Sequence, residues 1–466
     1  MKLGVAILAA GMGKRMRSRL PKVLHPLAGR PMLVHVVAAA ARIGAERTVV
    51  VYGHGGEQVR AAMAGEGCEW VDQAEQLGTG HAVMQAMPLL RNMDRVLVLY
   101  GDVPLVDPNT LARLIETSKN SGLGILTAIL DDPTGYGRII RDATGRILRS
   151  VEQKDATPEE LAVQEINTGF LVADCARLDG WLKRLTNANA QGEYYLTDVI
   201  GMAVAEGELV ASVHPATLEE VSGVNDRAQL ACLERFYQRR LAEELMRSGV
   251  TLSDPARIDI RGTLTTGQDC IIDVNVIVEG DVSLGDGVRI GPNCLIRDSH
   301  LGDGAHIFAN CVIDGAQVGA GARIGPFARL RPETRLAPDT QIGNFVEIKK
   351  SGIGAGSKVN HLSYLGDAEI GTGVNIGAGT ITCNFDGVNK FMTVIGDGAF
   401  IGSNTALVAP VVIGVGATIG AGSVIRKDAP PNALTVTRGR EMTLKGWPRP
   451  NQQSCADELS NLNPKE

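Results

Sequence analysis

The sequence lacks three features that would place it in other classes of protein. Its eight cysteines include no CxxC pair, so we expect free thiols in a reducing cytoplasm rather than a zinc or disulfide framework. The net charge of −6 argues against general binding to nucleic acid. The early apolar run 3–10 is too short to cross a membrane and leads directly into a glycine-rich basic loop. A signal peptide or a membrane span is therefore not expected.

The second half of the chain repeats a branched aliphatic residue at almost every sixth position. Two clear runs are Ile272, Val278, Leu284, Ile290 and Ile296, then Ile395, Ile401, Leu407, Ile413, Ile419 and Ile425. The period is neither 3.6 nor 2.0, so the repeat is not typical of a helix array or a simple meander. A hexad is typical of a β-helix, in which three short strands make one coil and each aliphatic residue points inward. The sequence predicts a left-handed parallel β-helix over 251–440.

The first part of the chain alternates apolar strands with helical stretches. This alternation favours a Rossmann-like α/β domain on a mostly parallel sheet. Gly11-Met-Gly-Lys-Arg15 follows the first strand, and Gly101-Asp102 follows the strand predicted over 95–100. Ligands of such sheets collect at the carboxyl ends of the strands, so these segments predict a site for Mg²⁺ and a nucleotide. Taken alone, each segment is also compatible with an ordinary turn.

A helix is predicted between these two regions. Asp226 is a suitable N-cap, the apolar residues that follow lie near one stripe, and Gly249 is a plausible stop. We therefore divide the chain into four parts. They are a nucleotide-binding domain over 1–226, a linker helix over 227–250, a β-helix domain over 251–440 and a C-terminal tail over 441–466.

Positions in a hexad helix can be compared by arithmetic, because residues about 18 apart should stack on one face of successive coils. Arg331 and Lys349 are 18 apart, and a shortened step brings Tyr364 beside them, with His361 at the neighbouring corner. Asn375 just precedes the aliphatic residue of the next face. A purely structural face would rarely collect these side chains, so they predict a site for a phosphorylated sugar. His361 is the best candidate for a general base, since imidazole titrates near neutrality.

A second column is built from small residues. Ser403 and Ala421 are 18 apart, and Arg438 follows 17 positions later. Small side chains leave room for an extended ligand, and the arginine is suited to a phosphate at its end. The hexads are interrupted nearby, so the segment 382–394, which carries Phe385, is predicted to loop out and to be able to reach a neighbouring chain.

A set of short motifs, in this order, resembles the signature of the sugar-phosphate nucleotidyltransferases. They are Leu8-Ala-Ala-Gly-Met-Gly-Lys-Arg-Met16 with Pro21-Lys22, Gln73, Leu77-Gly-Thr-Gly80, Tyr100-Gly-Asp102, Tyr136-Gly-Arg138, Glu152, Asn167-Thr-Gly169 and Asn225-Asp226. With the hexad helix that follows, the chain resembles a bacterial family of bifunctional enzymes. These join an N-acetylglucosamine-1-phosphate uridylyltransferase to a glucosamine-1-phosphate N-acetyltransferase. The resemblance covers residues 1 to about 440.

For the first domain, the resemblance implies uridylyl transfer from UTP with release of pyrophosphate. It assigns the nucleotide and its sugar to Leu8, Ala9, Ala10, Gly11, Gly13, Arg15, Lys22, Gln73, Gly78, Thr79, Tyr100, Gly101, Asp102, Gly137, Glu152, Asn167 and Asn225. Among these, Arg15 and Lys22 would neutralise the phosphates. Asp102 and Asn225 would bind Mg²⁺. Lys14 stands where the family usually has Thr or Ser, and we expect altered affinity rather than lost activity.

For the second domain, the resemblance implies acetyl transfer from acetyl-CoA to an amino sugar phosphate, with His361 as the base. It assigns the sugar phosphate to Arg331, Lys349, Tyr364 and Asn375, and acetyl-CoA to Ala378, Asn384, Phe385, Ser403, Ala421 and Arg438. Phe385 replaces a frequent Tyr, which puts a polar role at that position in doubt. Members of the family form homotrimers with this site between subunits, so a homotrimer is expected.

Three functions are compatible with the sequence to different degrees. The favoured one is a bifunctional enzyme that acetylates glucosamine-1-phosphate and then forms UDP-N-acetylglucosamine. The alternative is a nucleotidyltransferase whose β-helix is an oligomerising scaffold, although such a scaffold has no need for the set around His361. A non-enzymatic assembly platform would leave Asp102 and the basic loop without a purpose.

Overall fold

A computed structural model describes residues 1–53, 55–437, 439 and 443–447 of this chain of 466 residues. The chain divides into two compact units, Met1–Pro332 and Glu333–Glu466. The four domain limits given above follow the sequence pattern rather than compactness, and they stay a prediction. Within the described ranges, no helix is long and apolar enough to cross a membrane.

The first unit begins with an α/β layer. Its strands are β1 (Leu3–Leu8), β2 (Pro26–Leu27), β3 (Arg30–Pro31), β4 (Arg47–Tyr52), β5 (Glu69–Asp72), β6 (Arg95–Tyr100), β7 (Leu123–Ile129), β8 (Gly137–Arg141), β9 (Ile147–Val151), β10 (Glu165–Asp174) and β11 (Val210–Val213). A nine-stranded sheet has the order β11-β7-β10-β6-β1-β4-β5, with β8 joining β10 to β9. Only β10 is antiparallel to its neighbours on the main path. The predicted mostly parallel sheet is thus confirmed.

Helices cover both faces of this sheet. The helices of this unit are α1 (Met32–Arg42), α2 (Gly56–Ala62), α3 (Thr79–Leu90), α4 (Pro108–Thr117), α5 (Pro158–Leu161), α6 (Cys175–Leu182), α7 (Asp198–Ala205) and α8 (Arg227–Arg247). Short 3₁₀ helices occupy Lys14–Met16, Lys22–Leu24 and Leu218–Val221. The central strand β1 is buried on both sides: Val5 and Ile7 pack in one core, and Ala6 and Leu8 in the other. This explains why its sequence is continuously apolar rather than alternating.

Helix α8 links the α/β layer to the first coils of the β-helix. Asp226 caps it by accepting a hydrogen bond from the backbone N–H of Gln229 at 2.9 Å. Glu234 accepts a hydrogen bond from the backbone N–H of Ala28 at 2.7 Å. One turn later, the buried Gln238 side chain makes two 2.7 Å hydrogen bonds to the backbone of Ile260. Polar side chains of α8 therefore join the helix to the α/β layer at Ala28 and to the β-helix at Ile260.

The first unit also contains the first coils of a parallel β-helix. Its strands are Thr251–Leu252, Ile258–Thr266, Ile271–Ile272, Val276–Leu284, Arg289–Ile290, Leu295–Arg297, His300–Leu301, His306–Ile307, Val312–Asp314, Ala316–Val318, Arg323–Ile324 and Arg329–Leu330. Ile260 pairs with Val278 and Val278 with Ile296, a step of 18 positions, and all three are buried. The hexad aliphatic residues therefore form the interior, as predicted.

The second unit has the same kind of coil. Its strands are Thr334–Leu336, Gln341–Asn344, Glu347–Lys349, Gly352–Ile353, Lys358–His361, Tyr364–Gly366, Ala368–Ile370, Asn375–Ile376, Ile381–Cys383, Thr393–Ile395, Phe400–Ile401, Ala406–Val408, Val411–Ile413, Thr418–Ile419, Val424–Ile425 and Leu434–Thr435. Thr382 pairs with Leu407, 25 positions along, because the segment 384–392 loops out between two strands. The predicted interruption is therefore present, and most of the predicted tail lies outside the described residues.

Candidate active sites

The first candidate site is a cavity of about 260 Å³ at the carboxyl ends of β1 and β6. The two strands are parallel neighbours, and Leu8 pairs with Tyr100. The loop after β1 and the Gly101-Asp102 turn after β6 therefore meet at one edge of the sheet. Ten of the predicted nucleotide-site residues line the cavity: Leu8, Ala9, Ala10, Gly11, Lys22, Gln73, Gly78, Thr79, Tyr100 and Asp102.

Lys22 and Asp102 form an ion pair in this cavity. The Lys22 ammonium donates to Oδ2 of Asp102, and the two side chains are only 12% and 22% exposed. The backbone approaches Lys22 closely at Gly13, where φ is +56° and an added Cβ would lie 2.7 Å from the Lys22 Cβ. Glycine is needed there for both conformation and space. The pair places one positive and one negative charge next to the glycine-rich basic loop.

Two glutamines connect the walls of the cavity. Gln73 is buried, and its Nε2 donates to the carbonyl of Gly78 at 3.1 Å. Gln76 Nε2 donates to the carbonyl of Ala10 at 2.7 Å. Gln76 and Glu193 also line the cavity, although neither residue was predicted from the sequence. The only available signal for Gln76 was its position between two motifs, and there was none for Glu193.

Tyr100 connects the nucleotide cavity to the predicted sugar-binding residues. Its ring lies against Gly169, where φ is +89° and an added Cβ would be 2.7 Å from the phenol oxygen. Burial raises the pKa of Tyr100 well above its ordinary value, and the charges of Asp102 and Glu152 act in the same direction. Tyr100 therefore stays neutral and can donate a hydrogen bond.

The predicted sugar-binding residues gather on the β8–β9–β10 ribbon. Asn167 pairs with Gly137 across two strands, and its amide Nδ2 donates to Ser150 Oγ at 3.3 Å. Glu152 Oε1 accepts a hydrogen bond from Thr197 Oγ1 at 3.1 Å. Burial raises the pKa of the Glu152 carboxyl. Ser150 and Thr197 are polar neighbours that the sequence did not single out.

Asp102 and Asn225 are brought together by a backbone hydrogen bond. The N–H of Val224, the residue before Asn225, donates to the carbonyl of Asp102 at 2.9 Å. A carboxylate and an amide oxygen are hard donors of the kind that Mg²⁺ takes, and the Lys22 ammonium already occupies one carboxylate oxygen. Both donor types suit a divalent cation, and the ammonium shows that this carboxylate accepts a positive charge.

Several predicted residues of the first domain do not line the cavity. They are Gly13, Arg15, Gly101, Gly137, Glu152, Asn167 and Asn225. Arg15 and the unusual Lys14 lie exposed in the short 3₁₀ helix after the glycine loop. The structure thus brings the neutralising Lys22 to the cavity and leaves Arg15 at the surface.

The second candidate site is a column of residues on successive coils of the second unit. Asn344 pairs with His361, and Val359 with Ile376, which puts Ala378 beside His361. Ile376 pairs with Ile401 and Ile401 with Ile419. By the same register the next members are Ser403 and Ala421. Neighbouring strands are about 4.8 Å apart, so the column from His361 to Ala421 spans about 14 Å.

Hydrogen bonds between the coils confirm this column. The N–H of Asn404 donates to the carbonyl of Ala378 at 2.7 Å, and the N–H of Gly422 donates to the carbonyl of Ser403 at 2.8 Å. The predicted stacking of Ser403 on Ala421 is correct, and the structure adds Ala378 and His361 to the same line. The His361 imidazole and a line of small residues therefore share one edge of the β-helix.

The placement of Tyr364 was only partly right. Its backbone pairs with Glu347, whereas Lys349 pairs with Gly366, because Tyr364 precedes its hexad aliphatic residue and Lys349 follows one. The Tyr364 hydroxyl nevertheless reaches over Gly366, where an added Cβ would collide with it. The phenol oxygen therefore lies next to Gly366, the residue whose backbone pairs with that of Lys349.

The looped-out segment has a buried base and an exposed tip. Asn384 is 7% exposed, and its amide donates to the Asp367 carboxylate. Asp386 accepts hydrogen bonds from the backbone N–H groups of Val388 and Asn389 at 2.8 and 2.6 Å, closing a turn. Phe385 is 57% exposed. Asn384 therefore stabilises the base of the loop, and Phe385 is presented to solvent.

Three other predicted residues are placed as follows. Asn375 lies on the strand Asn375–Ile376 and pairs with Lys358 and Phe400. Arg331 belongs to the first unit, directly after the strand Arg329–Leu330. Arg438 lies outside the described residues.

Comparisons with known proteins agree with both halves of the chain. Residues 5–164 match the model of a MobA-like NTP transferase domain, and residues 264–298 and 392–427 match the bacterial transferase hexapeptide. A solved structure titled as a UDP-glucose pyrophosphorylase complexed with UDP-glucose covers 52% of this chain and is covered completely, at 16% identity. Its TM-score of 0.42 is too low to bear on the assignment.

Curated relatives extend over nearly the whole chain. The bifunctional protein GlmU of Methylococcus capsulatus is 58% identical over 461 residues, covering 98% of this chain and 100% of the relative. The bifunctional protein GlmU of Ralstonia nicotianae is 59% identical over 451 residues, covering 97% and 99%. These matches confirm the favoured function, a bifunctional uridylyltransferase and acetyltransferase. They speak against the alternative, a nucleotidyltransferase whose β-helix is only a scaffold. The chain therefore belongs to the family of bifunctional GlmU proteins.

Proposed function

We propose that the second domain acetylates the amine of glucosamine-1-phosphate with acetyl-CoA, and that the first domain transfers uridylyl from UTP to the acetylated sugar phosphate. The products would be free coenzyme A, pyrophosphate and UDP-N-acetylglucosamine. One observation supports this most strongly: the His361 column and the Lys22–Asp102 cavity are both built in one chain. Each has the groups that its half-reaction requires.

Uridylyl transfer depends on positioning and charge. A phosphate oxygen of the sugar attacks the α-phosphorus of UTP and pyrophosphate leaves, so no protein nucleophile is needed. Lys22 moves from Asp102 to the triphosphate and neutralises the developing charge. Asp102 and Asn225 would hold Mg²⁺, which would supply further neutralisation of the phosphates. Gln73 and Gly78 lie on the cavity wall, where they can read the base.

Acetyl transfer requires a base for the amine. The amide oxygen of Asn344 can only accept, so His361 Nδ1 carries the hydrogen of their 2.9 Å bond. The Nε2 lone pair is then left for the substrate amine, which attacks the thioester carbon as its proton passes to Nε2. The C–S bond then breaks, and the coenzyme A sulfur leaves as a thiol by taking the proton from Nε2. Ala378, Ser403 and Ala421 leave a groove in which the acetyl-CoA chain extends away from His361.

A homotrimer is proposed from the exposed apolar side chains of the second unit. Leu362 is 63% exposed, Phe400 50% and Val388 85%, and exposed apolar surface of this kind is typical of contacts between subunits. The loop that carries Phe385 would reach a neighbouring subunit. Light scattering of the purified protein should give three times the chain mass.

A cytoplasmic location is proposed from the thiols. Every cysteine in the described part of the chain is free: Cys68, Cys175, Cys232, Cys270, Cys294, Cys311 and Cys383. Free thiols in a protein of this size are typical of a reducing compartment.

One assay tests the whole proposal. Full-length protein is mixed with glucosamine-1-phosphate, acetyl-CoA, UTP and Mg²⁺, and free thiol and pyrophosphate are followed together. Thiol release, with pyrophosphate release that depends on acetyl-CoA, is the expected result. If N-acetylglucosamine-1-phosphate supports pyrophosphate release but no thiol forms, the acetyltransferase half of the proposal fails.

A further inference from the structure

A second, strongly basic cleft lies in the first unit and shares no lining residue with the nucleotide cavity. It is a space of about 100 Å³ between α1, α8 and the segment 104–108. Its charged and aromatic lining consists of Arg30, His35, Arg42, Tyr237 and Arg240, and the rest is apolar. Within the described residues no carboxylate lines this cleft, although the whole chain carries a net charge of −6.

The guanidinium groups of the cleft are poorly neutralised. In the part of the chain that the structure describes, no ion pair is formed by Arg30 or Arg42. Arg240 Nε lies 3.8 Å from Glu244, beyond hydrogen-bond distance, and this buried atom has no hydrogen-bond partner among the described residues. A buried N–H without an acceptor is costly, so an additional acceptor in the cleft would be stabilising.

Aromatic and imidazole rings fix the arginine at the base of the cleft. The Arg240 guanidinium lies over the Tyr237 ring, 5.0 Å from its centroid, and the His35 ring meets Tyr237 edge-on at 5.3 Å. His35 Nε2 donates to the carbonyl of Leu27 at 2.9 Å. Stacking holds the plane of Arg240 in one orientation, so little side-chain entropy remains to be lost when an anion binds.

The pKa of His35 reflects the positive charges in the cleft. Burial lowers its pKa most, and the positive charges of Arg30 and Arg240 lower it further, against the carbonyl of Leu27 and the charge of Glu234. Both arginines therefore act on the same point of the cleft. Arg42 lies on α1 two turns after His35, at a lining position.

We propose that the cleft formed by Arg30, Arg42 and Arg240 binds a small phosphate-bearing anion at a site separate from both catalytic sites. Planar guanidinium groups bind phosphate oxygens in pairs. A space of about 100 Å³ suits a phosphate group. Inorganic phosphate, pyrophosphate and a sugar monophosphate share this chemistry.

The proposal is tested by equilibrium dialysis of full-length protein with radiolabelled inorganic phosphate at 150 mM KCl, on the order of physiological ionic strength. Arg42→Ala and Arg240→Ala should each weaken one phosphate site at least about tenfold, the loss expected for one charged hydrogen bond. The matched control is Arg239→Ala. Arg239 neighbours Arg240 on α8, is 79% exposed and pairs with Glu243 outside the cleft, so this variant should bind as the wild type does.

Equal phosphate binding in the wild type and in both cleft variants would overturn the proposal, and so would the absence of wild-type binding at this salt concentration. Arg42 is at the surface, so its variant keeps the test valid if Arg240→Ala fails to fold. Competition by unlabelled pyrophosphate and by glucose-1-phosphate then distinguishes the source of the phosphate. The anion whose competing effect is lost in Arg42→Ala but retained in Arg239→Ala is the one that the cleft recognises.

Discussion

Nδ1 of His361 lies 2.9 Å from Oδ1 of Asn344 on the preceding coil. The two residues are 17 positions apart and are direct partners in the ladder of parallel strands. The preceding coil of the β-helix therefore fixes the orientation of the imidazole through Nδ1. The second ring nitrogen, Nε2, faces away from Asn344. Asn344 is in this way a positioning residue for the proposed base.

Removing either His361 or the supporting Asn344 should slow acetyl transfer without affecting uridylyl transfer. A general base contributes about 10²–10⁴-fold, so we expect His361→Ala to lose acetyl transfer by that factor and Asn344→Ala to lose less. Asn344→Asp keeps the acceptor and adds a negative charge that stabilises the imidazolium. In the pH–rate profile of thiol release, the acid limb of Asn344→Asp should therefore move to higher pH. A merely structural role of Asn344 would not cause this shift.

The Lys22–Asp102 pair gives a second prediction. We expect Asp102→Ala to reduce Mg²⁺-dependent pyrophosphate release by more than about 100-fold, since a preorganised electrostatic group is removed. Thiol release from acetyl-CoA should be unchanged. Pyrophosphate release at the wild-type rate would mean that the metal is held elsewhere.

The raised pKa of Glu152 predicts a pH dependence of stability. Burial, the main cause, raises the folded-state pKa above its ordinary value of 4.5, so between the two values the folded chain binds more protons than the unfolded chain. The burial cost is therefore absent below the unfolded pKa and complete above the folded one. Glu152→Gln should raise the melting temperature relative to the wild type at pH 8. This advantage should disappear near pH 4, and an equal gain at both pH values would contradict the assignment.

Neighbouring residues on one strand of the β-helix should differ sharply in their contribution to stability. Ile290 is 2% exposed and points into the coil, whereas Arg289 beside it is exposed. We expect Ile290→Ala to cost about 2–5 kcal/mol of unfolding free energy through the lost burial and the cavity it leaves. Arg289→Ala should stay within about 0.5 kcal/mol. Urea denaturation measures both, and similar losses would contradict the inward orientation of the hexad residue.

The β-helix and its spacing could be predicted from the sequence because the repeat is local. Each hexad aliphatic residue must be apolar to fill the coil, so Ile401 and Ile419 mark the interior, and residues 18 apart such as Ser403 and Ala421 must stack. The same reasoning placed Tyr364 less well. Whether a side chain precedes or follows the aliphatic residue decides its partner, and Tyr364 lies opposite Glu347.

By itself the sequence determined the repeat, the segments after β1 and β6 that carry Lys22 and Asp102, and the order of motifs that marks the family. Only the tertiary structure decided that Gln76 and Glu193 line the cavity, that Asn344 supports His361, and that Arg240 of α8 joins Arg30 and Arg42 of distant segments. The physical reason is that these contacts depend on how separate elements pack. The hexad spacing places residues such as Asn344 and His361 on neighbouring coils but does not encode which of their side-chain atoms meet. No spacing relates residues as far apart as Arg30 and Arg240.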